Sequence, residues 1–164
     1  MEVNLRDERI KQRIFESLDG PSRNAFEEHI RDLEAYLAGE DPVSKLMDRL
    51  RDKVAKDGLS SMSEPQRLYY AYNEFACCVV NGSVLNFFKE YPEEVRESYV
   101  ACLRMLDEAE LIPAYEDVRR RVLAGELDDD EFIEIDDALG PLSMRVDEFE
   151  PIMDEYADQH GLFD

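Results

Sequence analysis

Apolar residues recur along this chain at intervals of three and four, the spacing that lines one face of an α-helix, and no segment sustains the strict alternation of a half-buried strand. The pattern predicts an all-α fold. A first helix near 3–18 carries Ile10, Ile14 and Leu18 and stops at Asp19-Gly20-Pro21; a second near 22–38 runs Phe26, Ile30, Leu33 and Leu37 to Gly39. Asp41-Pro42 opens a third, with Leu46, Leu50 and Val54, which closes at Gly58. Ser63 and Gln66 have the spacing of a capping box at the head of a fourth helix, SEPQRLYYAYNEFACCVV. That helix is apolar all round, which predicts a buried central position for about 64–80, with Asn81-Gly82 as its stop. Further helices are expected near 84–90, 93–109, 113–124, 129–139 and 150–160, separated by Tyr91-Pro92, Ile112-Pro113, Gly125 and Gly140-Pro141, with Pro151 placed at the start of the last.

At 164 residues the chain suits one compact multi-helix domain, in which N-terminal helices over 1–62 pack on the region 63–164. It is 44% hydrophobic, too apolar for a disordered acidic tail despite a net charge of −21. No apolar run is long enough to span a bilayer, and MEVNLRDERI lacks the apolar core of a signal peptide, so the expectation is a cytoplasmic protein with no membrane partner. Adjacent Cys77 and Cys78 in an apolar helical run, with Cys102 far off, suit buried reduced thiols better than a disulfide framework or a zinc site.

The charge is concentrated. Residues 1–64 hold 11 Lys/Arg against 15 Asp/Glu, and residues 65–125 hold 7 against 10. Residues 126–164 hold a single basic residue, Arg145, against 15 acidic ones. Such a field repels nucleic acid and attracts basic surfaces at long range. On a helix turning about 100° per residue, Asp130, Glu134 and Asp137 fall on one side, with Phe132, Ile135 and Leu139 on the other. In the last helix Glu150, Asp154 and Asp158 form a second row, read as lying opposite Phe149, Met153 and Tyr156. Carboxylates at i and i+4 stand about 6 Å apart, the same order as neighbouring phosphates along a nucleic-acid strand.

Helix chemistry separates these acids into two groups. Asp128, Asp129, Asp130 and Glu131 sit where a helix begins, and the unpaired N–H groups there favour negative charge. Glu134, Asp136 and Asp137 lie in the second half of their helix, and Asp154, Glu155 and Asp158 in the second half of theirs, where the dipole opposes them. Like-charge neighbours there cost about 0.2–0.5 kcal/mol per pair. The partner-binding residues expected on this basis are Asp130, Glu134, Asp136, Asp137, Glu150, Asp154, Glu155 and Asp158. A merely solvated acidic face is the bland alternative.

The run YNEFACCVVNGSVLNFFKEYPEEV, followed by a helix with Tyr99, Leu103 and Leu106 and then by AELIPAYEDV, resembles a bacterial family of acidic, all-helical DNA-mimic proteins. The family signature is a helix ending in Asn-Gly-Gly-Phe, then a polar residue and a pair of aromatics. Asn81, Gly82, Phe87 and Phe88 match it, while Ser83, Val84 and Asn86 depart from the usual Gly, Phe and Gln. The resemblance covers roughly residues 60–160. It implies a protein, dimeric in a characterised relative, that presents carboxylates in place of phosphates and occupies the DNA-binding face of a basic DNA-binding protein such as a helix-turn-helix regulator. No single carboxylate is carried over by it, because surface acids have no motif to match.

Enzymatic chemistry has little to stand on. The two histidines, His29 and His160, belong to no HExxH motif, and there is no glycine-rich phosphate loop or nucleophile elbow. Asp128 to Leu139 fails as an EF-hand loop, since Ile133 occupies the position that needs Gly and Leu139 the position that needs Glu. Arg119-Arg120-Arg121 is too short and too outweighed for nucleic-acid binding, and as a helix end it complements the dipole. The expectation is therefore no catalytic, cofactor-binding or metal site. Two functional classes are left: a DNA mimic that sequesters a DNA-binding protein, and an acidic interaction or immunity-type module for a cationic partner that never touches DNA.

Overall fold

Ser63 caps the helix Glu64–Val80 as its spacing predicts. Its hydroxyl accepts from the Gln66 amide at 3.4 Å, and the Gln66 side chain accepts from the Ser63 amide at 3.1 Å. This computed structural model describes residues 22, 24, 27, 28, 30, 31, 34, 41–81, 84–127, 139–142 and 145–164. The chain divides into two compact units, Met1–Lys45 and Leu46–Asp164. In the first, the described residues between Ser22 and Glu34 are helical, where the second helix is predicted. The predicted helix near 3–18, and the one near 129–139 up to residue 138, lie outside the described residues.

The fold is all-α, and the described residues contain no strand. In chain order, the helices described from end to end are α1 (Pro42–Asp57), α2 (Glu64–Val80), α3 (Val84–Glu90), α4 (Glu93–Met105), α5 (Ile112–Leu123) and α6 (Val146–Gln159), with short 3-10 turns at Leu59–Ser61 and Ala109–Leu111. The helix α2 packs against α3, α4 and α6, and buries Leu68, Tyr69, Tyr70, Tyr72, Phe75 and Cys78. Its all-round apolarity is thus explained by neighbours on several sides.

The core is aromatic. Phe75 stacks on Tyr99 with centroids 4.1 Å apart and meets Phe87 edge-on at 5.2 Å, and Tyr115 closes the cluster against Phe88 at 5.2 Å and Tyr99 at 5.3 Å. One ring each from α2, α4 and α5, with two from the short α3, fixes how those helices meet. Phe87 and Phe88, the aromatic pair of the family-like signature, are fully buried. Arg96 is buried too, where it donates to the Phe88 carbonyl at 2.7 Å, to the Tyr91 carbonyl and to Glu93, so the end of α3 is satisfied by a side chain from α4.

The fourth helix stops at Val80 as expected, where Asn81, at a φ of −86°, donates its side-chain amide to the Cys77 carbonyl at 2.8 Å; Gly82 lies outside the described residues. Several other local expectations are corrected. The helix α4 ends at Met105, four residues early, because Asp107 takes a φ of 62°, and the Glu108 amide bonds back to the Leu103 carbonyl at 2.8 Å. Gly140-Pro141, expected as a break, is itself helical over 139–142, held to the core by Leu139 and Leu142, each 1% exposed. The last helix begins at Val146, so Pro151 lies inside it. A proline there removes one backbone bond and costs about 3 kcal/mol, which burial of Val146, Phe149, Met153 and Ala157 along one face outweighs. Cys78 and Cys102 are buried free thiols as expected, whereas Cys77 is exposed.

Candidate acidic interface

The helix α6 carries the described part of the predicted interface, and it is tied down at both ends. At its head, Arg145 stacks over the Phe149 ring at 4.9 Å, pairs with the buried Glu108, and donates to Glu148 at 3.1 Å. The Val146 carbonyl accepts from the Tyr72 hydroxyl at 2.8 Å. Beyond its tail, Gly161 adopts a φ of 63° that turns the chain, and Arg49 then donates to the carbonyls of Leu162 and Asp164, both at 2.8 Å. The result is a rod anchored at both ends, with Val146, Phe149, Met153 and Ala157 buried along one side.

Four of the expected partner-binding residues fall on this rod. Glu150, Glu155 and Asp158 are exposed. Glu155 accepts from the Gln159 side chain one turn later at 3.0 Å, which leaves its charge at the surface. Asp154 differs: it is half-buried, and its Oδ1 accepts from the Tyr69 hydroxyl at 2.8 Å. The row Glu150, Asp154, Asp158 therefore flanks the buried stripe and does not stand opposite it. Asp130, Glu134, Asp136 and Asp137 lie outside the described residues.

The outward stripe is Glu148, Ile152 and Glu155, at i, i+4 and i+7. Ile152 is 49% exposed, an apolar side chain standing between two carboxylates. The sequence expectation omitted it. Its signal was present, since an isoleucine interrupts the polar face that Glu148, Glu155 and Gln159 define on the helical wheel.

Three further arginines of the second unit, Arg51, Arg119 and Arg120, are turned toward its own carboxylates. Arg51 pairs with buried Glu74 at 2.7 Å, and Tyr91 donates to the other Glu74 oxygen. The guanidinium of Arg51 is held above its usual pKa, chiefly by that hydrogen bond. Arg119 joins Glu93 to Glu116, and Arg120 bridges Asp117 at 3.0 Å and Glu126 at 3.2 Å. Two arginines of the triple-arginine helix end thus neutralise their neighbours, including Glu126, the first acid of the charged quarter. Among the described residues, no three His, Cys, Asp or Glu side chains are grouped so as to hold a metal ion.

Compared with protein-family models, curated proteins and solved structures, the chain matches none at a significant level.

Proposed function

We propose that this protein is a regulatory DNA mimic, whose acidic C-terminal quarter occupies the DNA-binding face of a basic DNA-binding protein such as a helix-turn-helix regulator. One observation supports the reading above the others. Its one cation in that quarter, Arg145, is committed to Glu108 and Glu148, while Glu150, Glu155 and Asp158 stay exposed on a helix anchored at both ends. Carboxylates carried on an anchored helix bind a cationic surface with less loss of side-chain and backbone freedom than a mobile acidic tail does. Exposed Ile152, between Glu148 and Glu155, adds an apolar contact to the outward side. The resemblance carried by Asn81, Gly82, Phe87 and Phe88 directs the choice of partner toward DNA-binding proteins.

The test is competition. Partners are captured from the source cell on the full-length protein at low salt, then challenged with duplex DNA. Mimicry predicts that DNA and this protein exclude each other from the captured partner, and that the complex loosens steeply between about 0.1 and 1 M salt as the screening length falls from about 10 to about 3 Å. A captured cationic partner with no affinity for DNA would instead establish the broader reading of an acidic interaction module.

A further inference from the structure

A second surface takes none of its lining from the charged rod. Where the end of α1 and the Leu59–Ser61 turn face the first turns of α2 and the outer side of α4, they enclose a groove of about 710 Å³. That volume falls within the range of about 300–1,000 Å³ typical of binding pockets. Its lining is mainly apolar, with Val54, Leu59, Leu68 and Ala101 contributing. Three exposed carboxylates, Glu64, Glu94 and Glu97, stand around it.

None of those three carboxylates pairs with a cation among the described residues, although the arginines described above find partners. One cation, Arg67, also lines the groove, and its Nη1 donates to the Met62 carbonyl at 2.7 Å. Glu64 opens α2, where the helix dipole accounts for a negative charge, and Glu94 is in the first turn of α4. Glu97 lies in the second turn of α4, so the helix-start argument weakens for it. An apolar floor beneath an acidic rim repels phosphates, nucleic acid and anionic lipid alike. A free polyamine or metal ion leaves the floor wet.

We infer that this groove docks a cationic amphipathic segment of a protein partner, with apolar side chains against Val54, Leu59, Leu68 and Ala101 and lysine or arginine side chains against Glu64, Glu94 and Glu97. Both halves of the surface then find complements at once. The site shares no residue with α6, so the inference does not depend on DNA mimicry.

The experiment titrates the full-length protein with a labelled peptide of leucine and lysine, leucines at i, i+3, i+4 and i+7, and with a scramble of the same composition. The peptide binds, the scramble binds much more weakly, and amide resonances of Leu59, Leu68 and Ala101 shift. The pair Glu94→Gln/Glu97→Gln weakens binding about tenfold or more, while Glu155→Gln/Asp158→Asn on α6 changes it by about twofold at most. Ala101→Phe fills the groove and blocks the peptide at unchanged charge. The inference is overturned if the peptide fails to bind, if the scramble binds equally, if both charge pairs weaken binding alike, if the shifts fall only on α6, or if spermine displaces the peptide at matched charge. Should Ala101→Phe fold poorly, the exposed charge pairs still decide the question.

Discussion

The Tyr69 hydroxyl donates a 2.8 Å hydrogen bond to Oδ1 of Asp154, joining α2 to α6 across 85 positions of sequence. The Tyr69 ring is fully buried and meets Phe163 edge-on at 6.1 Å, so its hydroxyl has been carried to the margin of the core with its acceptor already in place. One carboxylate of the acidic row therefore helps to hold the helix that displays the others.

A division of labour follows. Tyr69→Phe removes the donor and leaves the ring, and is expected to lower stability by about 1.5–3 kcal/mol, the range for a hydrogen bond to a charged group. Asp154→Ala should act in the same direction, and the double variant should cost less than the sum of the two. By contrast, Glu155→Gln/Asp158→Asn should melt at or above the parent temperature, because it relieves charge in the last turns of a helix, while slowing association with a basic partner. Thermal melts and association rates on the same variants check both halves. A stable Tyr69→Phe protein, or an unstable Glu155→Gln/Asp158→Asn protein, contradicts the assignment.

The pair Arg51 and Glu74 should respond unequally to its two deletions. The Glu74 side chain is 5% exposed, whereas that of Arg51 is 47% exposed. Arg51→Met strands a buried carboxylate that keeps only the Tyr91 hydroxyl, and should cost about 3 kcal/mol or more. Glu74→Gln leaves a guanidinium that can turn to water, and should cost about 1–2 kcal/mol. Denaturant titrations measure the difference, and equal costs would show that Arg51 is not the cation that makes the Glu74 site tolerable.

Asp107 sits in the left-handed region at a φ of 62°, where an L side chain crowds the following carbonyl. Its side chain is exposed, so little packing is lost on truncation. Asp107→Gly is expected to stabilise the chain by about 0.5–1 kcal/mol, seen as a raised melting temperature, and Asp107→Val to destabilise it by more than that.

Burial pushes the Cys102 thiol up from its ordinary 9.0 to about 12, and raises the hydroxyls of Tyr99 and Tyr115 as well. The unfolded chain releases these protons before the folded one does. The stabilisation is therefore complete below about pH 9 and declines as pH rises toward 12, by about 1.4 kcal/mol per pH unit for each group in its window. Cys102→Ala should shallow the slope of stability against pH between 9 and 12 by about one proton, whatever its effect on stability at neutral pH. An unchanged slope would mean that the thiol titrates alike in both states.

Most of the helical segmentation is local physics and is readable in the chain. The capping pair Ser63 and Gln66, the periodicity from Leu68 to Cys78, and the stop at Asn81 act within a few residues of one another, so sequence alone determines that helix and its buried character. The concentration of acid after residue 125 is likewise a property of the sequence. Sequence did not determine where α6 begins. Pro151 signals a helix start locally, and only the buried stripe of Val146, Phe149, Met153 and Ala157, together with Tyr72 bonded to the Val146 carbonyl, carries the helix through it. Nor did it determine which carboxylates face solvent alone. Asp154 and Asp158 are equivalent on the helical wheel to within one turn, yet a tyrosine 85 positions away claims one of them and leaves the other exposed. Periodicity reports which side of a helix is apolar, but a hydrogen bond between distant helices exists only once packing has brought donor and acceptor together.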